Sequence, residues 1–198
     1  SPLFYKDWNF IKFSNLENNY PHTHLNIIFL PKLMITDIVD NFKNIDSFKK
    51  MSYNVNTLIH EKIHIHQRQH TELYHKLYEY WNFIKVDNIV GINKYLDLRR
   101  TNPDSDNILW IYTYKNQYYW IDSLYKSKES TKLSDVQYVG IKLEKIGSTY
   151  KVIPGRIIDI YKIPTFKLFF GNLNANFYHP NEISAELISL YYGNLLGI

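Results

Sequence analysis

Apolar positions recur along the chain with two different periods, and the change between them divides it. The run "LNIIFLP", from Leu25 to Pro31, is short, continuous and closed by proline, the pattern of a buried strand. Next, "ITDIVDNFKNIDSFKKM" spaces Ile35, Ile38, Val39, Phe42, Ile45 and Phe48 three and four residues apart, which predicts a helix. A second helix is predicted from about Val55 to Phe83, capped by Asn54 or Asn56, with Ile59, Ile63, Leu73 and Leu77 as its core stripe. After "NPDSDN" (Asn102 to Asn107) the pattern changes. "ILWIYTYKNQYYWIDSLY", "VQYVGIKLEKIGSTYKVI" and "GRIIDIYKI" predict three to five strands, with "KNQ" and "IGST" as hairpin turns. Helical period returns from Pro180 to Leu196, where Ile183, Leu187, Leu190 and Tyr191 form the apolar stripe. Residues 1–24 are aromatic-rich and end in the turn-like "NNYPHTH". Helices, then strands, then one more helix make the chain α+β.

Length makes this one domain, 1–198, with a β-rich lobe at about 103–170 inside it. Composition adds that the chain is ordered: 45% of residues are hydrophobic and 17% aromatic. There is no cysteine, so disulfides and thiolate metal sites are excluded, and any metal falls to His, Asp, Glu or water. The net charge of +4 comes from scattered lysines without a basic block, which argues against specific nucleic-acid binding. No apolar run approaches the roughly 20 residues of a membrane span. The opening "SPLFYKDWNF" is not an intact signal peptide.

The chemistry sits in "TLIHEKIHIHQRQH", Thr57 to His70, which contains His60-Glu61-Lys62-Ile63-His64. On a helix, positions i and i+4 share a face, so both histidines can aim an imidazole at one ion. Glu61, rotated by about 100°, reaches a metal-bound water instead, where a general base belongs. A His-Glu-x-x-His match is expected about 0.01 times by chance in a chain of this composition. His66 and His70 repeat the four-residue spacing but fall near the apolar stripe, and read as partly buried, hydrogen-bonded histidines. His75, His22 and His24 read as surface residues, the last two also placed to border a cleft.

A catalytic zinc site usually takes three protein ligands. In the tail helix, Glu182, Glu186 and Ser189 lie opposite the apolar stripe. Two carboxylates on one face are costly to bury unless paired or metal-bound. Taken alone, they equally fit a helix-dipole contact for Glu182 and a solvated Glu186.

His60, Glu61 and His64 followed by Asn181, Glu182, Ala185 and Glu186 resemble the gluzincin metallopeptidases, whose third zinc ligand is a glutamate. That resemblance implies a zincin-like fold in which the strands are an insertion between an active-site helix and a C-terminal helix carrying the third ligand. It implies one Zn²⁺ per chain on His60, His64 and Glu182, with Glu186 orienting a bound imidazole and Glu61 as the base. The substrate would be a peptide or protein. Tyr178 and His179, just before the ligand helix, are the candidate donors to the oxyanion. Zincins commonly place a strand before the motif helix, and "HLNIIFLP" stands in order for that role, its edge pairing with substrate; an ordinary buried strand fits it equally. Two features depart from the pattern. Residue 186 is Glu where Asp is commoner, and more than a hundred residues separate His64 from Glu182. The Asn-, Lys-, Ile- and Tyr-rich composition is similar to that of zincin-like proteins of giant DNA viruses. The competing readings are a zincin-fold binding or structural protein without turnover, and a nucleic-acid-associated module.

Overall fold

The apolar run around Ile28 does form a strand, but it is not at an edge. The computed structural model describes residues 7–15, 19–43, 48–104, 108–130, 132–171, 173 and 177–196. Within them the architecture is α+β, and the chain divides into two units: Ser1–Tyr74 with Ser184–Ile198, and His75–Ile183.

In the first unit, β1 (Asn9–Phe13), β2 (His22–His24) and β3 (Ile27–Pro31) form a sheet in the order β1-β3-β2. β1 pairs parallel to β3, and β2 antiparallel. The expectation that the β3 edge receives substrate is therefore corrected: both its sides carry strands, β1 from the aromatic-rich N-terminal stretch and β2 from the end of the segment read as turn-like. Leu25, at φ 54°, makes the β2–β3 turn, and its carbonyl accepts from Arg68 at 3.0 and 3.2 Å. His22 is half-buried and stacks on Phe29, while His24 is exposed.

Helix α1 spans Lys32–Lys43 and α2 spans Phe48–Gln69. Ile45 and the side chains of Phe42 and Phe48 lie outside the described residues. Ile28, Leu30 and Met34 bury against Ile65 of α2. The predicted helix from Val55 to Phe83 proves to be α2 and a separate α3 (Thr71–Tyr80). His70 interrupts them, and the Thr71 hydroxyl reaches back to the Gln67 and Arg68 carbonyls, each at 3.3 Å, across the break. Asn54 and Asn56 lie inside α2 and cap nothing. The break also rotates the stripe, so Leu73 is exposed and Tyr74 and Tyr78 are buried instead. His66 is half-buried with Nδ1 3.0 Å from the Tyr74 hydroxyl, but His70 is exposed. His75 is half-buried, edge-on to Trp110, rather than on the surface.

In the second unit, β4 (Phe83–Val86), β5 (Ile89–Val90), β6 (Leu109–Tyr114), β7 (Gln117–Tyr125), β8 (Val136–Ile146) and β9 (Thr149–Asp159) form one sheet. Its order is β4-β6-β7-β8-β9-β5, antiparallel except for β5 on β9. Both predicted hairpins are two-residue turns with positive φ: Lys115–Asn116 at 47° and 60°, and Gly147 at 60°. "KVI" and "GRIID" belong to one strand, since β9 absorbs Pro154 and Gly155 in an irregularity opposite Lys142. Ile111, Trp120, Ile141 and Val152 anchor one core face, with the short helix α4 (Asn93–Leu96) contributing Tyr95. Phe166 and Phe170 of α5 (Pro164–Phe170) cover Phe83. This α5 holds the apolar "FKLFF" run that periodicity alone does not separate from a strand.

The last helix, α6, spans Pro180–Leu196. Its predicted stripe is corrected. Ile183 is buried, but Leu190 is 40% and Tyr191 62% exposed, whereas Asn181, Glu182, Ser184 and Ser189 are buried. No helix among the described residues is long and apolar enough to cross a membrane.

Candidate metal centre

His60 and His64 leave the same face of α2 one turn apart, with ring centroids 4.8 Å apart and nearly perpendicular. Both are buried, as are Glu61 and Lys62 between them. Lys62 is compensated within its unit: its ammonium donates to the Asp7 carbonyl at 2.9 Å and lies 5.0 Å from the centre of the Trp8 ring.

Glu182 lies in the first turn of α6 and is only 2% exposed. One ligand atom from each of His60, His64 and Glu182 lies within 4.8 Å of the other two. Zinc ligands about 2.1 Å from one ion stand about 3.4 Å apart in a tetrahedral array, so modest side-chain movement closes this triangle. It is the one group of three or more His, Asp or Glu so arranged among the described residues.

The surroundings decide which imidazole nitrogen is presented. Gln67 donates its Nε2 to Ser184 Oγ at 2.7 Å, so its Oε1 is the end facing His64, 2.9 Å from Nδ1. A carbonyl oxygen only accepts, so Nδ1 carries the hydrogen and Nε2 holds the lone pair. His60 Nδ1 stands 3.5 Å from Glu186 Oε2, and a carboxylate there selects the same tautomer. Two imidazoles with Nε2 left to bind a metal, and a carboxylate beside them, are a donor set that suits Zn²⁺.

Small residues let the later part of α6 approach α2. Asn56 lies near Gly193, where a Cβ would stand 2.3 Å from Asn56 Oδ1. His60 lies near Glu186, and Gln67 near Ser184. These pairings descend along α6 as they climb α2, so the two run antiparallel.

Tyr178 and His179 both have firm local duties. The Tyr178 hydroxyl accepts from Asn102 Nδ2 at 2.7 Å, and its ring stacks on Tyr138 at 5.4 Å and 5°. Burial first, then the nearby Glu182 charge, pushes its pKa well above the ordinary phenol value, so it remains a neutral O–H. His179 caps α6: Nδ1 accepts the Asn181 N–H at 3.2 Å, which leaves the hydrogen on Nε2.

Ser184 and Asn102 contribute without having been singled out by sequence reasoning, which gave Gln67 a position but no role. Gln67 shares a helical face with His60 and His64, a readable signal. Ser184 follows Glu182 by two positions and falls among the small residues of α6. Asn102 offers no signal, because it reaches Tyr178 only through the fold. Compared with protein-family models, curated proteins and solved structures, the chain matches none.

Proposed function

We propose that this chain is a zincin-like, zinc-dependent peptidase. The observation that carries the reading is the proximity of His60, His64 and Glu182, three buried donors from two distant segments, one of which holds Glu61 within His-Glu-x-x-His. When bound, zinc would supply Lewis acidity toward the scissile carbonyl and bring a water's pKa toward ~7. His60 and His64 would offer Nε2, held in that tautomer by Glu186 and Gln67.

Glu61 takes a proton from the attacking water as its oxygen bonds the carbonyl carbon. It returns that proton to the amine nitrogen as the C–N bond breaks, so that water and a peptide bond become a carboxyl group and an amine. Tyr178 O–H and His179 Nε2–H are the candidate donors to the developing oxyanion. In this reading the six-stranded sheet is an insertion in the sequence between the two helices that carry the ligands.

The test has two stages. Purified protein should carry about one zinc per chain, and His64→Ala should lose it. Wild type should then cleave a responsive peptide that Glu61→Gln does not. Zinc without turnover would favour a binding or structural protein on a zincin fold, and absence of zinc would end the metal reading.

A further inference from the structure

Glu182 stands in the first turn of a helix, where few backbone bonds hold the chain. Whatever secures that turn therefore bears on the ligand. His179 secures it from within, through Nδ1 to the Asn181 N–H and through its carbonyl, which accepts the Ile183 N–H at 2.9 Å.

A second hold comes from the turn Asn102–Asp104. Asn102 Oδ1 accepts the Asp104 N–H at 3.1 Å, an Asx turn that settles which end of the amide faces outward. Its Nδ2 then donates to the Tyr178 hydroxyl at 2.7 Å. The Asp104 carbonyl accepts from Asn181 Nδ2 at 3.5 Å. Asn102 and Asp104 thus engage two side chains that bracket the start of α6, one immediately before Glu182 and one four positions before it. The Tyr178 ring lies flat against Tyr138, so its hydroxyl is confined to where Asn102 meets it.

We propose that the Asn102–Asp104 turn sets the position of Glu182 for metal binding, with Asn102 a positioning residue that acts through Tyr178. The proposal rests on the metal reading above. It also gives Tyr178 a role apart from oxyanion donation: its oxygen is an anchor point, and its loss acts on the ligand as well as on any chemistry. The contact is between neutral groups, so salt does not screen it.

Three measurements on the full chain test this: zinc affinity by competition with a chromophoric chelator, the visible spectrum of the cobalt-loaded protein, and exchange of the Ile183 amide without metal. Asn102→Ala removes the donor and the turn cap. Tyr178→Phe removes the acceptor and keeps the stacked ring, and carries the test if Asn102→Ala does not fold. Each variant should weaken zinc affinity by about 10–100-fold, the range for lost outer partners of a ligand. Each should alter the cobalt spectrum and speed Ile183 exchange. The double variant should bind zinc no more weakly than the weaker single, since one shared bond is lost. Variants that bind zinc as wild type does, with unchanged cobalt spectra, overturn the positioning role and leave the metal site standing. A wild type that binds no zinc overturns both.

Discussion

Glu182 and Glu186 are one turn apart on α6, and either carboxylate is a possible zinc ligand, so exchanging each for glutamine is the sharpest test of the site. The geometry ranks them. Glu182 is the member grouped with both histidines, whereas Glu186 Oε2 stands 3.5 Å from His60 Nδ1, the nitrogen turned away from a metal held by Nε2. Losing an outer partner of a bound histidine typically costs 10–100-fold in affinity, or about 1.4–2.7 kcal/mol. Glu186→Gln should sit near the lower bound. The amide oxygen still accepts from Nδ1–H, and the Glu186 side chain is 20% exposed, so water helps replace the charge. Glu186→Leu removes the acceptor as well and should approach 100-fold. Glu182→Gln removes a ligand and should cost more than either. Competition with a chromophoric chelator near neutral pH measures all three on one scale. The reverse order, with Glu186→Gln abolishing binding and Glu182→Gln sparing it, would make Glu186 the third ligand and refute the tautomer argument for His60.

Other substitutions probe independent parts of the structure. Glu61→Gln should keep fold and zinc yet lower peptide cleavage by 10²-fold or more, because the amide cannot carry the proton; a variant that still cleaves removes Glu61 from the mechanism. Asp122 pairs with Arg99 at 2.8 Å, and burial raises its pKa from 3.8 to about 7 against the opposing pull of Arg99. The folded state thus holds a proton that the unfolded state has released between those values. Stability should fall as pH rises through that window, by at most about 4 kcal/mol from this group, and level off above it. Denaturant midpoints at several pH values should show the slope, and Asp122→Asn should flatten it. Gly193→Val should destabilise by about 1–3 kcal/mol in urea melts, since even a Cβ would crowd Asn56; an unchanged midpoint would show that α6 and α2 can separate there.

How much of this was legible before any coordinates depends on what each feature needed. Strands β6 to β9 and their two tight turns were readable because alternation and turn residues act over a few positions. The grouping of His60 with His64 was readable for the same reason, since one helix sets both. The break at His70 was not: the stretch around it has no Gly or Pro, and helical spacing continues through it. β1 and β2 were missed because short strands with exposed faces show little alternation; only Phe13 of β1 is buried. His75 was misplaced because the residue that covers it, Trp110, lies on β6. The Asn102 contact with Tyr178 joins positions far apart in sequence, and only a fold brings them together.

The most telling misreading is α6, because its apolar residues are the wrong guide to its buried face. Leu190, Tyr191 and Leu195 are each at least 40% exposed, while Asn181, Glu182, Ser184 and Ser189 are buried. Fully burying one large apolar side chain is worth about 1.5–3 kcal/mol, so a rotation that hid the leucines would gain stability on that count. Burying hydroxyls, an amide and a carboxylate instead incurs desolvation that must be met by partners. Several are visible: Gln67 on Ser184, the Glu186 carbonyl on the Ser189 hydroxyl, and the Asp104 carbonyl on Asn181. Local pattern and adopted packing conflict here, and such conflict is expected where a structure serves something besides its own stability. The rotation that sacrifices the leucines is the one that brings Glu182 to the histidines, Ser184 to Gln67 and Glu186 to His60. Ile183 and Ala185 stay fully buried in this orientation, so α6 keeps a small apolar core while its polar groups gain partners at the expense of exposed leucines. That is the arrangement expected if its carboxylates serve something besides stability.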